Sequence, residues 1–173
     1  MGKFSDTIAE AVKERLLENN ADVSNPVTWQ VTKHVSSAFT GGTANAHGDH
    51  DGTGDPYTIF TVTGVNLVRA IFGECNTSLV GAATVEVGTA NNTAKLLAQI
   101  ANATTLDAGD FYTDAGTEAE VELLADSGSF YVINDDIVET LASANVTAGQ
   151  IDYYVVWAPA EPGASIVSAT AVA

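Results

Sequence analysis

The chain has 173 residues, and Cys75 is its only cysteine. A single thiol permits no intrachain disulfide framework, so nothing ties the fold to an oxidising compartment. No His neighbours Cys75 in sequence, and the thiol reads as a small buried strand residue. Positive charge is equally scarce: six Lys and Arg stand against 22 Asp and Glu, for a net charge of −16. Three of the six (Lys3, Lys13, Arg15) fall in the first fifteen residues, leaving only Lys33, Arg69 and Lys95 beyond. Such a body repels phosphate backbones and anionic lipid, which excludes nucleic acid and membrane surfaces as partners of the main domain. No uninterrupted apolar run approaches the ~20 residues of a membrane span. The start, MGKFSDTIAEAVKERLL, lacks the apolar stretch of a secretory signal. The NxS/T triplets at Asn76, Asn91, Asn102 and Asn145 are therefore read as turn chemistry and not as glycan sites.

Catalytic signatures are missing as well. The chain contains no GxSxG, HExxH, CxxC or phosphate-binding glycine loop in a strand-to-helix setting. Its three histidines, His34, His47 and His50, all precede residue 51, and no Ser/His/acid spacing suggests a triad. The reading is that the protein is not an enzyme and carries no cofactor. A wholly disordered chain is excluded by the composition, since 46% of residues are hydrophobic and only 16% are charged.

What the chain has in abundance is strand signal. Residues 60–88, FTVTGVNLVRAIFGECNTSLVGAATVEVG, predict two or three strands, with Gly64, Gly73, Asn76, Gly81 and Gly88 as turn punctuation. Val65, Leu67, Arg69 and Ile71 are expected on one face, and Asn66, Val68, Ala70 and Phe72 on the other. Both faces are mostly apolar, as in an inner strand of packed sheets. VTWQVTKHV before this stretch and IDYYVVWAP after it alternate with period two, and Ile151, Tyr153, Val155 and Trp157 make one apolar face. TAKLLAQIA at residues 93–101 is ambiguous between helix and strand; the strand-rich surroundings favour a strand. The small, uncharged tail GASIVSATAVA can add an edge strand, pair with a neighbouring copy or stay mobile. Eight or nine strands spaced eight to twelve residues apart predict a mainly β domain, a β-sandwich or jelly roll.

One helix is expected, over residues 5–20. Phe4, Ile8, Val12 and Leu16 recur on one face, and Thr7 with Glu10 fits a capping box. That stripe packs either on its own domain or on a neighbouring subunit. The resulting layout is an N-terminal arm (1–26), a sandwich (27–159) with a long loop at 40–56, and a tail (160–173).

The loop, TGGTANAHGDHDGTGDP, has five glycines and no large apolar side chain, and is expected to be exposed or ordered by a partner. It holds the one metal-like cluster, with Asp49, Asp51 and Asp55 as candidate calcium ligands beside His47 and His50. The alternate spacing of oxygen ligands suits a hard cation, but no Glu closes the loop at its twelfth position. The competing reading is a solvated acidic turn. Arg69, flanked by aliphatic residues, is a candidate intersubunit contact or an intradomain salt bridge.

Three segments, FTVTGVNLVRAIFGECNTSLVGAATVEVG, DAGDFYTDA and VINDDIVETLASANVTAGQIDYYVVWAP, together resemble a group of tailed-bacteriophage virion proteins, the head decoration or cement proteins. The resemblance spans roughly residues 57–159 and rests on strands and turns with no transferable chemical motif. It implies a β-sandwich that binds the major capsid protein on the virion surface, associates as a homotrimer and has no enzymatic activity. A tail or fibre component, and a calcium-dependent carbohydrate- or receptor-binding module, are the alternatives.

Overall fold

Period-two alternation becomes two antiparallel sheets. A computed structural model of the chain describes residues 28–53, 55–113, 118–119 and 130–170. The expected N-terminal helix, with Phe4, Ile8, Val12 and Leu16, lies outside the described residues. In chain order the strands are β1 (Gln30–Val35), β2 (Tyr57–Thr63), β3 (Asn66–Val80), β4 (Thr84–Thr89), β5 (Asn92–Ile100), β6 (Phe111–Tyr112), β7 (Glu118–Ala119), β8 (Tyr131–Ile133), β9 (Ile137–Ala142), β10 (Ala148–Pro159) and β11 (Ser165–Ser168), with one 3-10 turn at Ala103–Thr105. Sheet A runs β1-β10-β3-β6-β7, with β8 also paired to β3; sheet B runs β11-β2-β9-β4-β5. The core lies between them, where Ile151, Tyr153, Val155 and Trp157 of β10 are all buried, as their alternation predicts.

Two elements show context deciding over local preference. Residues 92–100 form β5 despite their helix-favouring Ala, Lys and Leu, because Leu97 and Ile100 pair with Val87 and Val85 of β4 and are buried. The tail contributes β11, which pairs with β2 at the edge of sheet B and buries Ile166.

The central stretch departs from expectation in two places. Turns do occur around Gly64 and Gly81, but β3 continues for 15 residues straight through Gly73 and Asn76, and Gly88 lies inside β4. Gly73 is a packing choice and not a turn. A Cβ there would stand 2.8 Å from the Ile151 Cγ2 and 3.2 Å from the Tyr153 ring. The expected single alternation also breaks at Arg69. Val68 pairs with Trp157 and Ala70 with Val156, so Arg69 is the extra residue of a β-bulge. Burial accordingly switches from Asn66 and Val68 to Ile71, Gly73 and Cys75.

Candidate functional site

The 40–56 loop is held by its own turns and by the sandwich. Five successive turns close it, each with an amide donating to the carbonyl three residues earlier: Thr43 to Thr40, Ala46 to Thr43, Asp49 to Ala46, Gly52 to Asp49 and Asp55 to Gly52. Of the two expectations for the loop, ordering only by a partner is corrected by these bonds, while Gly42, Thr43, Ala44, Asn45, Asp51 and Thr53 are exposed, as the other had it. Its first half is fixed to the β9–β10 connection: Gly41 N–H donates to the Val146 carbonyl at 3.0 Å and Val146 N–H to the Gly48 carbonyl at 2.9 Å. Gly48 needs its missing side chain, since its φ is +101° and a Cβ would lie 2.2 Å from the Val146 oxygen. Asn145 completes the clamp. Its amide nitrogen donates to the Gly41 carbonyl at 2.5 Å, and its side-chain oxygen accepts from the His50 amide at 3.1 Å and faces His50 Nδ1. Asn102 likewise accepts from the Thr104 amide. Of the four NxS/T asparagines, Asn102 and Asn145 thus do turn chemistry and Asn91 sits in the turn between β4 and β5, as expected, whereas Asn76 lies inside β3.

At the base of the loop His47 points into the sandwich, stacked between Phe39 and Tyr57 at centroid distances of 4.2 and 3.9 Å. Its Nδ1 lies 3.0 Å from the Ser37 carbonyl, which can only accept, so Nδ1 carries a proton. Its Nε2 lies 2.9 Å from Glu139 Oε1, and the other oxygen of Glu139 accepts from the Tyr153 hydroxyl at 2.5 Å. Burial works against ionisation of His47, but the charge of Glu139 and its hydrogen bond outweigh that and raise the imidazole pKa. Tyr153 is kept a phenol, because burial first and the Glu139 charge second push its pKa far up. The arrangement is a buried imidazolium–carboxylate pair with a phenol donating to its free oxygen. Ser37 Oγ sits 3.3 Å from Nδ1, but that nitrogen has no lone pair to offer it. The trio Ser37, His47 and Glu139 is therefore not a nucleophilic triad.

A cleft of about 730 Å³ opens beside this cluster, lined chiefly by small neutral residues including Thr40, Ala44, Ala46, Thr53 and Thr58, with His47 and Tyr57 on its wall. Among the described residues, none of the side chains that line it is a carboxylate.

The candidate calcium ligands do not converge. Asp49 accepts from the Asn45 amide at 2.8 Å, Asp51 faces the His50 ring at 3.2 Å at the surface, and Asp55 accepts from the Leu141 amide at 2.9 Å. Burial pushes the Asp55 carboxyl up to about 6. Among the described residues no group of three or more His, Cys, Asp or Glu could hold a metal ion. Cys75 is buried as expected, and burial raises its thiol to about 11, which removes nucleophilic character at neutral pH. Arg69 is exposed at its bulge, with its guanidinium 5.7 Å from the centre of the Trp29 ring.

Glu139 and Tyr153 were not singled out from the sequence as site residues. A signal was present: Glu139 falls between Ile137 and Leu141 on the apolar phase of β9, where a carboxylate requires a buried partner. The identity of that partner, 92 residues away, has no sequence signature. Comparison of the chain with protein-family models, with curated proteins and with solved structures finds no match.

Proposed function

We propose that this protein is a structural component of a phage virion, a head decoration protein that binds the assembled shell of the major capsid protein. The observation that carries the reading is the nesting of strand pairs. β1 pairs with β10, β2 with β9, β3 with β8, and β4 with β5. Wrapping such a ribbon of hairpins around a core yields the jelly roll, an architecture common in viral capsid and lectin domains. The fold by itself does not assign a function; it agrees with the sequence resemblance to decoration proteins. The site chemistry supports the same reading, because the buried acid, base and phenol are engaged with one another and the cleft beside them is a neutral binding shape. A rigid, clamped loop with small side chains suits docking onto a preformed protein surface, with modest contacts multiplied by avidity over the lattice. The protein is then non-catalytic, needs no cofactor and associates with copies of itself as a trimer.

The test is to mix purified protein with empty shells and image the particles by electron cryo-microscopy. Saturable density on the outer surface of the head is the expected result. Density confined to the tail would replace the reading with a tail or fibre component. No observation favours the calcium-dependent binding module, since Asp49 and Asp55 already accept backbone amides.

A further inference from the structure

Both nitrogens of the His47 ring face oxygens that accept. Nδ1 lies 3.0 Å from the Ser37 carbonyl, and Nε2 lies 2.9 Å from Glu139 Oε1. A neutral imidazole has one N–H, so it can satisfy one of these oxygens and must turn a lone pair towards the other. Removing the Nδ1 proton would set that lone pair against the carbonyl, offset by nothing better than the 3.3 Å contact to the Ser37 hydroxyl. The closed arrangement therefore needs a second proton, held between Nε2 and Oε1. Water cannot stand in for it, since the side chains of His47 and Glu139 are 5% and 1% exposed.

The pair fastens a whole segment. His47 belongs to the 40–56 loop, Glu139 to β9 of sheet B, and Tyr153, which donates to the other Glu139 oxygen, to β10 of sheet A. Phe39 and Tyr57 of β2 cover the two faces of the ring. On β1, burial holds the His34 pKa below its usual range and the charge on His47 adds to that, so His34 supplies no second cation to Glu139. At the far end of the loop Asp55 accepts the Leu141 amide, two residues along β9 from Glu139. Burial first, and the Glu139 charge with it, raise its carboxyl to about 6. His50 meets Asp51 at the surface, 3.2 Å away. In acid, then, the set Asp55, His47 and Glu139 is neutral overall; in base it carries two negative charges in the corner where the loop meets β9.

We propose that the 40–56 loop is a base-released latch: it stays clamped to β9 and to the β9–β10 connection while a proton lies between His47 and Glu139, and it opens when that proton leaves. Opening hydrates both groups and takes apart the cleft whose wall the loop forms. In the open loop His47 has its ordinary pKa of 6.5, and in the closed loop a higher one. Between the two values opening releases a proton, so the ratio of open to closed loop climbs by up to tenfold per pH unit above about 6.5. Asp55 adds an earlier step of the same sign, between 3.8 and about 6. The proposal does not depend on the virion reading.

The test is amide exchange of the full chain from pH 6 to 9, each rate divided by that of an unstructured peptide at the same pH. Protection of the Gly41, His50 and Val146 amides, which bond across the latch, should fall at least about tenfold over this range. It should also stay at least about tenfold below that of Tyr153 and Val155 in β10. Constant protection at the three amides would overturn the proposal. So would protection equal to that of β10 at every pH, because the loop would then open only when the whole domain unfolds. In His47→Gln the fall above pH 6.5 should vanish; its persistence would assign the proton to another group and refute the latch. Nuclear magnetic resonance of the His47 ring in the unsubstituted chain gives an independent reading. A titration midpoint above 6.5 is expected, and one at or below 6.5 would overturn the proposal.

Discussion

Gly73 shows what one missing side chain does in the middle of a long strand. It faces inward on β3, and Ile151, Tyr153 and Tyr112 occupy the space a side chain would need. Its dihedral angles need no glycine, so Gly73→Ala carries a purely steric cost of about 1–3 kcal/mol, read as a lowered denaturant midpoint. Asp55 supplies the second test at this scale. Burial raises its carboxyl from 3.8 to about 6, so the folded state holds a proton over that interval that the unfolded chain has released. This group therefore contributes stability below about pH 4 that is lost as the pH rises to about 6. His47, also raised, shifts the balance the same way at higher pH, whereas burial lowers His34 and makes it oppose acidification. Asp55→Asn removes one group from this set and keeps an acceptor for the Leu141 amide. The melting temperature of the variant relative to the parent should climb between about pH 4 and 6; a flat difference would mean that Asp55 titrates normally.

At the scale of elements, the 40–56 loop and β9 behave as one unit. The loop contributes His47, β9 contributes Glu139 and β10 contributes Tyr153, so the buried pair ties a surface segment to both sheets. Glu139→Gln keeps an acceptor for Tyr153 but removes the charge that raises the His47 pKa, leaving a neutral imidazole and a weaker bond across the pair, and should cost about 1–3 kcal/mol. Amide exchange should locate the damage. The Gly41 and Val146 amides, which bridge loop and connection, should lose protection before those at the centre of β10. Equal loss everywhere would show that the pair supports the core in general and not the loop in particular.

The whole molecule is strongly acidic. If attachment to a shell is steered by that acidity, the association rate should fall several-fold between about 50 and 500 mM salt while the dissociation rate changes little. A salt-independent association rate, measured on immobilised shells, would place the attachment in apolar contacts instead. Net charge this far from zero also opposes non-specific aggregation.

Much of the architecture was written locally. Alternation in IDYYVVWAP predicted which side of β10 is core, and the strand-rich context of residues 93–101 correctly outweighed their helix propensity, because side-chain period and burial are local consequences of pleating. The solitary Cys75 was legible as a buried residue because its burial depends on residue type and not on a partner. Tertiary structure alone decided the rest. Gly73 and Asn76 look like turn residues until the β10 and β6 side chains that fill the space over Gly73 are in place, and the bulge at Arg69 exists only as a mismatch with β10. The Asp-rich loop suggested a cation, yet Asp49 and Asp55 accept amides, one nearby and one as far away as Leu141, and Asp51 faces the His50 ring at the surface. His47 became half of a buried pair only when β9 brought Glu139 beside it, since the energy that selects such a pair comes from contacts that no sequence window contains.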